Sequence, residues 1–394
     1  MKKSIGIAVL GLGWMGQAHS RSMLRIPSLF PERSFEPRLV VCADTEAERR
    51  ERAVNDFGFE RAVEDWREAI ASDDVDVVWV TAPNMMHIPM VEAACAAGKA
   101  VFCEKPIGGK PEQTLSAFKS AEAARVKTGV GYNYLWAPLV LHTKSLIDSG
   151  ELGEITHYRG RFVSMYGSDE LGLLSWRFLM DQAGYGVTSD ILSHCVSLAQ
   201  FLVGDITEVV SMKKTTIPMR PLPTGASSHY GRGNPEDKKG EVENEDYASV
   251  LCTFENGATG SFEVSRTLVG PESQNAFEVF GTKGSISWNF EKLNELEYYQ
   301  LTDSKNSGYT TIYGGDRFPF HGAFVPGQAN AIGFEDIVAI EDYSFLEALA
   351  TGGTFSPGFR EAVDVVSVQA AVIKSWESRT WEPVLDMAKG AHDA

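Results

Sequence analysis

The sequence predicts an α/β protein in two parts. Residues 1–130 read as a doubly wound parallel sheet, and residues 131–394 as an α+β region with an open, largely antiparallel sheet. Three observations predict this. Apolar strand-like runs alternate with helical stretches through the first third. The first run, Ile5-Gly6-Ile7-Ala8-Val9-Leu10, leads at once into Gly11-Leu12-Gly13-Trp14-Met15-Gly16 and then a helical stretch. From Glu154 onward the pattern changes to two-residue alternation punctuated by turn signals. A length of 394 residues has room for two domains, and 43% hydrophobic with 23% charged residues is ordinary for a soluble globular chain.

Residues 5–10 read as a buried parallel strand. Gly11 allows a tight turn, Gly13 lets a pyrophosphate approach the backbone, and Gly16 lets helix and strand pack closely. With Leu12, Trp14 and Met15 between them, these glycines form the dinucleotide loop of a Rossmann domain. The helix that follows, Gln17 to about Leu24, offers free N–H groups and partial positive charge to phosphates. A second strand, residues 39–44, ends in Asp44. That carboxylate can accept both adenosine ribose hydroxyls and would repel a 2′-phosphate, which favours NAD over NADP; a strand-end cap is the alternative. A Pro-rich insertion over 26–37 accounts for its distance from the glycines.

Helices follow near 46–56 and 66–71. The strand 75–80 is ended by Thr81-Ala82-Pro83-Asn84, and a helix from about Met86 stops at Gly98. The strand 100–103 is ended by Glu104-Lys105-Pro106. A helix over 111–125 and a strand near 128–132 complete the alternation. Ligands bind at the C-terminal ends of strands in such sheets, where Thr81 to Asn84, Glu104, Lys105 and Asn133 fall. Lys105 is the cation of interest there; a solvent-facing loop lysine is the alternative.

In the second part, Ile155 to Val163 alternates with His157, Arg159 and Arg161 on one face. A hairpin is predicted from Tyr247–Phe254 and Ala258–Arg266, a second pair around 277–280 and 285–288, and a further strand over 296–301. Such a sheet leaves one face free, which suits pairing with another subunit. Two long, weakly patterned segments, 213–245 and 303–330, suggest a cover over the active site; His321 in the second reads as a loop histidine without chemistry. Helices over 334–350 and 358–378 close the chain, with a frayed tail at 388–394.

Between the strand at 155–163 and the hairpin stands Ser189-Asp190-Ile191-Leu192-Ser193-His194. With Thr188 or Ser189 as N-cap, a helix to about Val203 puts Asp190 and His194 on one face, a turn apart. A carboxylate beside an imidazole orients the ring and supports its protonated form, which suits a general acid–base pair. By itself such a spacing is commonly an ordinary helix-surface contact.

Taken together, the residues Gly11-Leu12-Gly13-Trp14-Met15-Gly16-Gln17-Ala18-His19, Thr81-Ala82-Pro83-Asn84-Met85-Met86-His87, the Glu104-Lys105-Pro106 triplet and the D-x-x-x-H pair at 190 and 194 resemble the Gfo/Idh/MocA oxidoreductase family. The resemblance implies an NAD-dependent enzyme that oxidises a secondary hydroxyl, with Lys105, Asp190 and His194 as its catalytic trio. It implies an NAD pocket lined by Thr81, Ala82, Pro83, Asn84, His87, Glu104, Lys105 and Asn133. Ser175-Trp176-Arg177-Phe178 resembles a family segment that places Trp176 and Arg177 against cofactor or substrate. The chain looks most similar to the longer subgroup acting on scyllo- or myo-inositol, L-glucose and levoglucosan, and the resemblance implies a homodimer or homotetramer. Those relatives often carry an arginine where this chain has Trp136.

On this reading His194 takes the hydroxyl proton, Asp190 orients its ring, and Lys105 stabilises the developing alkoxide. No metal is called for. Two readings compete: an NAD-requiring glycosidase that oxidises transiently, and a non-catalytic NAD-binding regulator. The net charge of −17 argues against nucleic acid and anionic membrane surfaces as partners. Five scattered cysteines without a CxxC pair suit a reducing cytoplasm, and no apolar stretch is long enough to span a bilayer.

Overall fold

Ile5 to Leu10 are all buried, and a run buried on both faces belongs in the middle of a parallel sheet. In the structure, a computed structural model describing residues 2–223 and 231–389, it does. β1 (Lys3–Leu10) leads through the glycine turn to α1 (Trp14–Leu29), β2 (Phe35–Ala43), α2 (Ala47–Phe57) and β3 (Arg61–Val63). Then come α3 (Trp66–Ile70), β4 (Val77–Val80), α4 (Asn84–Ala96), β5 (Ala100–Cys103), α5 (Pro111–Ala124) and β6 (Thr128–Val130). The six strands are parallel in the order 3-2-1-4-5-6, the doubly wound arrangement the sequence predicts.

Three boundaries differ from expectation. α1 begins at Trp14 and runs through Pro27, so the Pro-rich insertion starts as helix. β2 begins at Phe35 and contains Pro37, which is tolerated because β3 pairs only with Val41 to Ala43 and leaves Pro37 unpaired on that side. β3 itself is too short to show a period in sequence.

The second part follows α6 (Pro138–Asp148), β7 (Ile155–Val163), α7 (Val187–Asp190), α8 (Leu192–Leu202) and β8 (Ile206–Lys214). β9 (Met219–Pro221) pairs with β10 (Lys239–Glu241). β11 (Tyr247–Phe254), β12 (Thr259–Ser265), β13 (Gln274–Gly281), β14 (Gly284–Asn289), β15 (Glu295–Gln300) and β16 (Thr310–Tyr313) continue the large sheet. The chain then forms α9 (Phe334–Thr351), α10 (Phe359–Ser378) and β17 (Glu382–Pro383). Among the described residues the sheet has nine strands, in the order 16-15-14-13-7-12-11-8-17. Every pair in it is antiparallel except β7 with β12. One face packs on α8 and α10; the other carries Arg159, Arg161, Ser249 and the exposed Leu251.

The last two helices return to the first sheet. α9 packs against α1, and α10 lies between α5 and β8. One face of the first sheet is sealed by Met23, Ile26, Ile340 and Phe345; the other is continuous with the core under α8. Residues 224–230 of the first long segment and the tail 390–394 lie outside the described residues. Within the described part of 213–245, Leu222 and Val242 pack with Leu174 around Phe178 at the Trp176–Phe178 turn. Among the described residues no helix is long and apolar enough to cross a membrane.

Candidate active site

The glycine turn is built by three different constraints. Gly11 has φ +93°, and a Cβ there would lie 2.7 Å from the Ala82 Cα. At Gly16 a Cβ would lie 2.0 Å from the Gly11 carbonyl oxygen, so helix and turn touch. Gly13 is the opposite case: a Cβ would meet nothing within 4 Å. Space is left in front of the α1 N-terminus, whose cap residue, Gly13, offers no side chain to satisfy the first N–H groups. That is the cradle a pyrophosphate requires, so the residues present fit a dinucleotide.

Around this turn the polar groups are tightly assigned. The Leu12 N–H donates to Asp44 Oδ2 at 2.7 Å and the Glu46 N–H to Oδ1 at 2.9 Å, which fixes the carboxylate beside the turn with lone pairs left for ribose hydroxyls. Arg49 stands 3.4 Å from Asp44 Oδ2. Thr81 donates its hydroxyl to the Gly11 carbonyl at 2.6 Å, so it braces the turn. Pro83 caps α4 and Asn84 opens it. Trp14 is 66% exposed and stacks on Phe334, with Met15 beside it on α1.

His87 is buried between the two strand-end loops. Its ring nitrogens are 2.9 Å from the Pro106 carbonyl and 2.7 Å from the Ala82 carbonyl. The ring ties the two strand-end loops together, and burial holds its pKa below the ordinary value. Asn133 is buried, and among the described residues its amide nitrogen has no partner. Trp136 stacks on Phe355 and meets Phe320 edge-on.

At the end of β5, Glu104 accepts the Lys105 N–H at 3.2 Å, and Lys105 reaches across to Asp190, with Nζ 2.8 Å from Oδ1 and 3.3 Å from the main-chain carbonyl. Arg177 stacks over Trp176 and comes within 4.0 Å of Asp190 Oδ2. Partial burial alone raises the Asp190 carboxyl; Lys105 and Arg177 outweigh it and hold the group below the usual carboxylate range.

The predicted continuous helix over 188–203 is broken at Ile191 into α7 and α8, and neither Thr188 nor Ser189 caps it. One neighbour in sequence and one distant residue account for this. The Asp190 carbonyl accepts from the Ser193 hydroxyl at 2.8 Å and from Lys105, which takes it out of the helical ladder. The Ser189 hydroxyl donates to Gly109 and the Thr188 N–H to Glu245, pinning α7 to other loops. Asp190 is thereby turned towards Lys105, and among the described residues it makes no hydrogen bond to His194. It is a counter-ion for the lysine, not the orienting partner of the imidazole.

His194 sits on α8, only 4% exposed, between aromatic rings: Tyr134 at 4.7 Å, Phe162 at 5.8 Å and Tyr132 at 6.0 Å between centroids. Burial and the Lys105 charge push its pKa well below the ordinary value, against a smaller opposing effect of Asp190. The ring is neutral at neutral pH. Tyr134 continues through Phe290 and Phe334 to Trp14, so an aromatic wall runs from the glycine turn to the imidazole.

Residues 5–132 match the family model described as an oxidoreductase family with an NAD-binding Rossmann fold, and residues 140–287 match the GFO/IDH/MocA C-terminal domain. A levoglucosan dehydrogenase from Pseudarthrobacter phenanthrenivorans is 33% identical over 385 residues, covering 97% of this chain and 98% of that protein. The chain belongs to the Gfo/Idh/MocA oxidoreductase family. Its cofactor is NAD. A solved levoglucosan dehydrogenase in complex with NADH and levoglucosan superposes with a TM-score of 0.91 at 32% identity, over 97% of this chain and all of that one. The scyllo-inositol 2-dehydrogenase (NAD(+)) of Bacillus subtilis is 28% identical over 79% of this chain and 81% of its own length.

Sequence reasoning assigned no role to His19, Asp342 or Tyr134, each of which the structure brings under or beside this site. The signal for His19 was present: it stands three residues past Gly16, on the face of α1 that must meet the sheet.

Proposed function

We propose that this NAD-dependent oxidoreductase oxidises a secondary hydroxyl of a cyclic polyol or sugar to a ketone, with levoglucosan, L-glucose and the inositols as the candidate class. The observation that carries the reading is the 2.8 Å contact between Lys105 and Asp190, made at the end of the sheet where the glycine turn also lies, with His194 one turn further on. His194, being neutral, can accept the hydroxyl proton. Lys105 donates to the reacting oxygen and stabilises the alkoxide as it forms. Asp190 holds that ammonium in place, and Arg177 stands behind Asp190. Bound NAD supplies the hydride acceptor. The aromatic wall offers apolar surface to the C–H face of a sugar ring, and the few charged groups at its end supply orientation.

The near-full-length similarity to a levoglucosan dehydrogenase puts that anhydrosugar first in the test panel. Purified protein is given levoglucosan, L-glucose, scyllo- and myo-inositol and simple glycosides, with NAD and NADP in parallel. The expected result is NADH accumulation with at least one ring polyol or sugar and a preference for NAD. Cleavage of a glycoside without net NADH would replace this reading with the glycosidase. The division of labour falls near residue 130, with the second part forming the substrate wall and, through the uncovered sheet face, a homodimer or homotetramer; light scattering after size exclusion checks the latter. Five buried, unpaired cysteines support a reducing, cytoplasmic setting.

A further inference from the structure

Beneath the reaction centre lies a buried ionic cluster that the chemistry above does not use. His19 of α1 is fully buried. Its Nδ1 is 2.8 and 3.0 Å from the two carboxylate oxygens of Asp342 on α9, and its Nε2 is 3.0 Å from Glu104 Oε1. An ionised carboxylate can only accept, so a ring with a carboxylate at each nitrogen carries both N–H groups and is an imidazolium. Burial alone would lower its pKa; Asp342 and Glu104 outweigh that and raise it to about 10. Trp79 Nε1 donates to Asp342 Oδ1 at 3.2 Å, and the Phe102 ring meets the imidazole edge-on. Glu341, next on α9, is buried with both oxygens unpartnered among the described residues, and burial with the neighbouring Glu104 and Asp342 raises its pKa well above the usual carboxylate range.

What matters is where the clamp ends. Glu104 accepts the Lys105 N–H with its second oxygen. A Cβ at Gly131 would fall 2.7 Å from the first, so the backbone there closes that side of the carboxylate. We propose that His19 is a positioning residue for the reaction centre: held by Asp342, it fixes the Glu104 carboxylate, which sets the main chain from which Lys105 reaches Asp190. The proposal rests on the dehydrogenase reading for its catalytic consequence, though the geometry of the clamp does not. A lysine side chain is a long lever, so a small turn of its main chain moves the ammonium away from Asp190. Buried ion pairs are costly relative to apolar packing, which makes one joined to the residue before Lys105 hard to explain by stability alone.

The test uses full-length His19→Gln, which keeps a polar side chain and removes the cation, and Asp342→Asn, which keeps the acceptor's shape and removes its charge. For a substrate found in the panel, kcat is expected to fall about a hundredfold in His19→Gln, the scale of a roughly 1 Å misplacement. The KM for substrate and the NADH Kd should stay near wild type. Independently of turnover, the pH profile for acylation of Lys105, read by peptide mass spectrometry, should move. If wild type oxidises nothing in the panel, the dehydrogenase reading falls while the labelling arm still decides the role of His19. Asp342→Asn carries the same readouts should His19→Gln not fold. A folded variant with wild-type kcat, or with a Lys105 profile that superimposes on wild type, overturns the proposal.

Discussion

His19 and His194 are both buried, both within reach of a carboxylate's field, and titrate in opposite directions. His19 has a carboxylate hydrogen-bonded to each ring nitrogen, and its pKa is raised to about 10. His194 is surrounded by rings, the Lys105 charge disfavours its protonated form, and the carboxylate beside it is turned away to that lysine. Burial penalises the charged form at both sites, so hydrogen-bonded anions decide the outcome. The lower cluster is a fixed charge that holds structure; the upper site keeps an uncharged imidazole able to take a proton.

The sharpest way to break that contrast is at the upper site. His194→Ala and Lys105→Ala should each lower turnover by about a hundredfold to ten-thousandfold, the usual range for a positioned proton-transfer group. NADH binding, followed by its fluorescence, should survive in both, because the cradle at Gly13 and Asp44 is untouched. A mutant with near-normal turnover removes that residue from the scheme.

A smaller effect separates the two clusters in stability. Removing one partner from a fully buried pair costs about 3–5 kcal/mol, so Asp342→Asn should lower the urea-unfolding free energy by that order. The dependence on pH has a definite sign. A group whose folded pKa is raised from 6.5 to about 10 contributes stability that is complete below 6.5 and is lost as the pH rises through 10. The stability gap between wild type and His19→Gln should therefore narrow from neutral pH towards pH 10. His194 acts with the opposite sign: its folded pKa is depressed, so it destabilises as the pH falls below 6.5, where only the unfolded chain takes up the proton. A gap that stays constant with pH would mean that the His19 ring is not an imidazolium.

These two histidines also mark what could be read from the chain alone. The parallel sheet, the glycine turn, Asp44 and the hairpins were legible because each is a local pattern of period, turn residue or strand end. The Lys105, Asp190 and His194 set was legible through resemblance, but the pairing within it was not. The i,i+4 spacing pointed Asp190 at His194, but competition for the Asp190 carbonyl, from the nearby Ser193 hydroxyl and from Lys105 across the fold, breaks the helix, and Lys105 draws the carboxylate to itself. The clamp was out of reach for a different reason: His19 and Asp342 are 323 residues apart, and no local signal joins α1 to α9. The parallel β7–β12 pairing was hidden in the same way, since alternation shows a strand's faces and not its neighbour's direction.

The smallest expected effect lies at the edge of the upper site. Arg177 is 4.0 Å from Asp190, and its side chain is 31% exposed, so water screens much of its charge. If Asp190 is held chiefly by Lys105, Arg177→Ala should reduce kcat by no more than about fivefold, the equivalent of roughly 1 kcal/mol. Arg177 also stacks on Trp176, at the turn against which β9 and β10 pack, so its loss should appear more in substrate KM than in kcat. Measuring both constants for Arg177→Ala beside Lys105→Ala decides the matter. A collapse of kcat as deep as that of Lys105→Ala would show the ion pair at Asp190 to be a triad in which the arginine, despite its exposure and longer contact, carries an equal share.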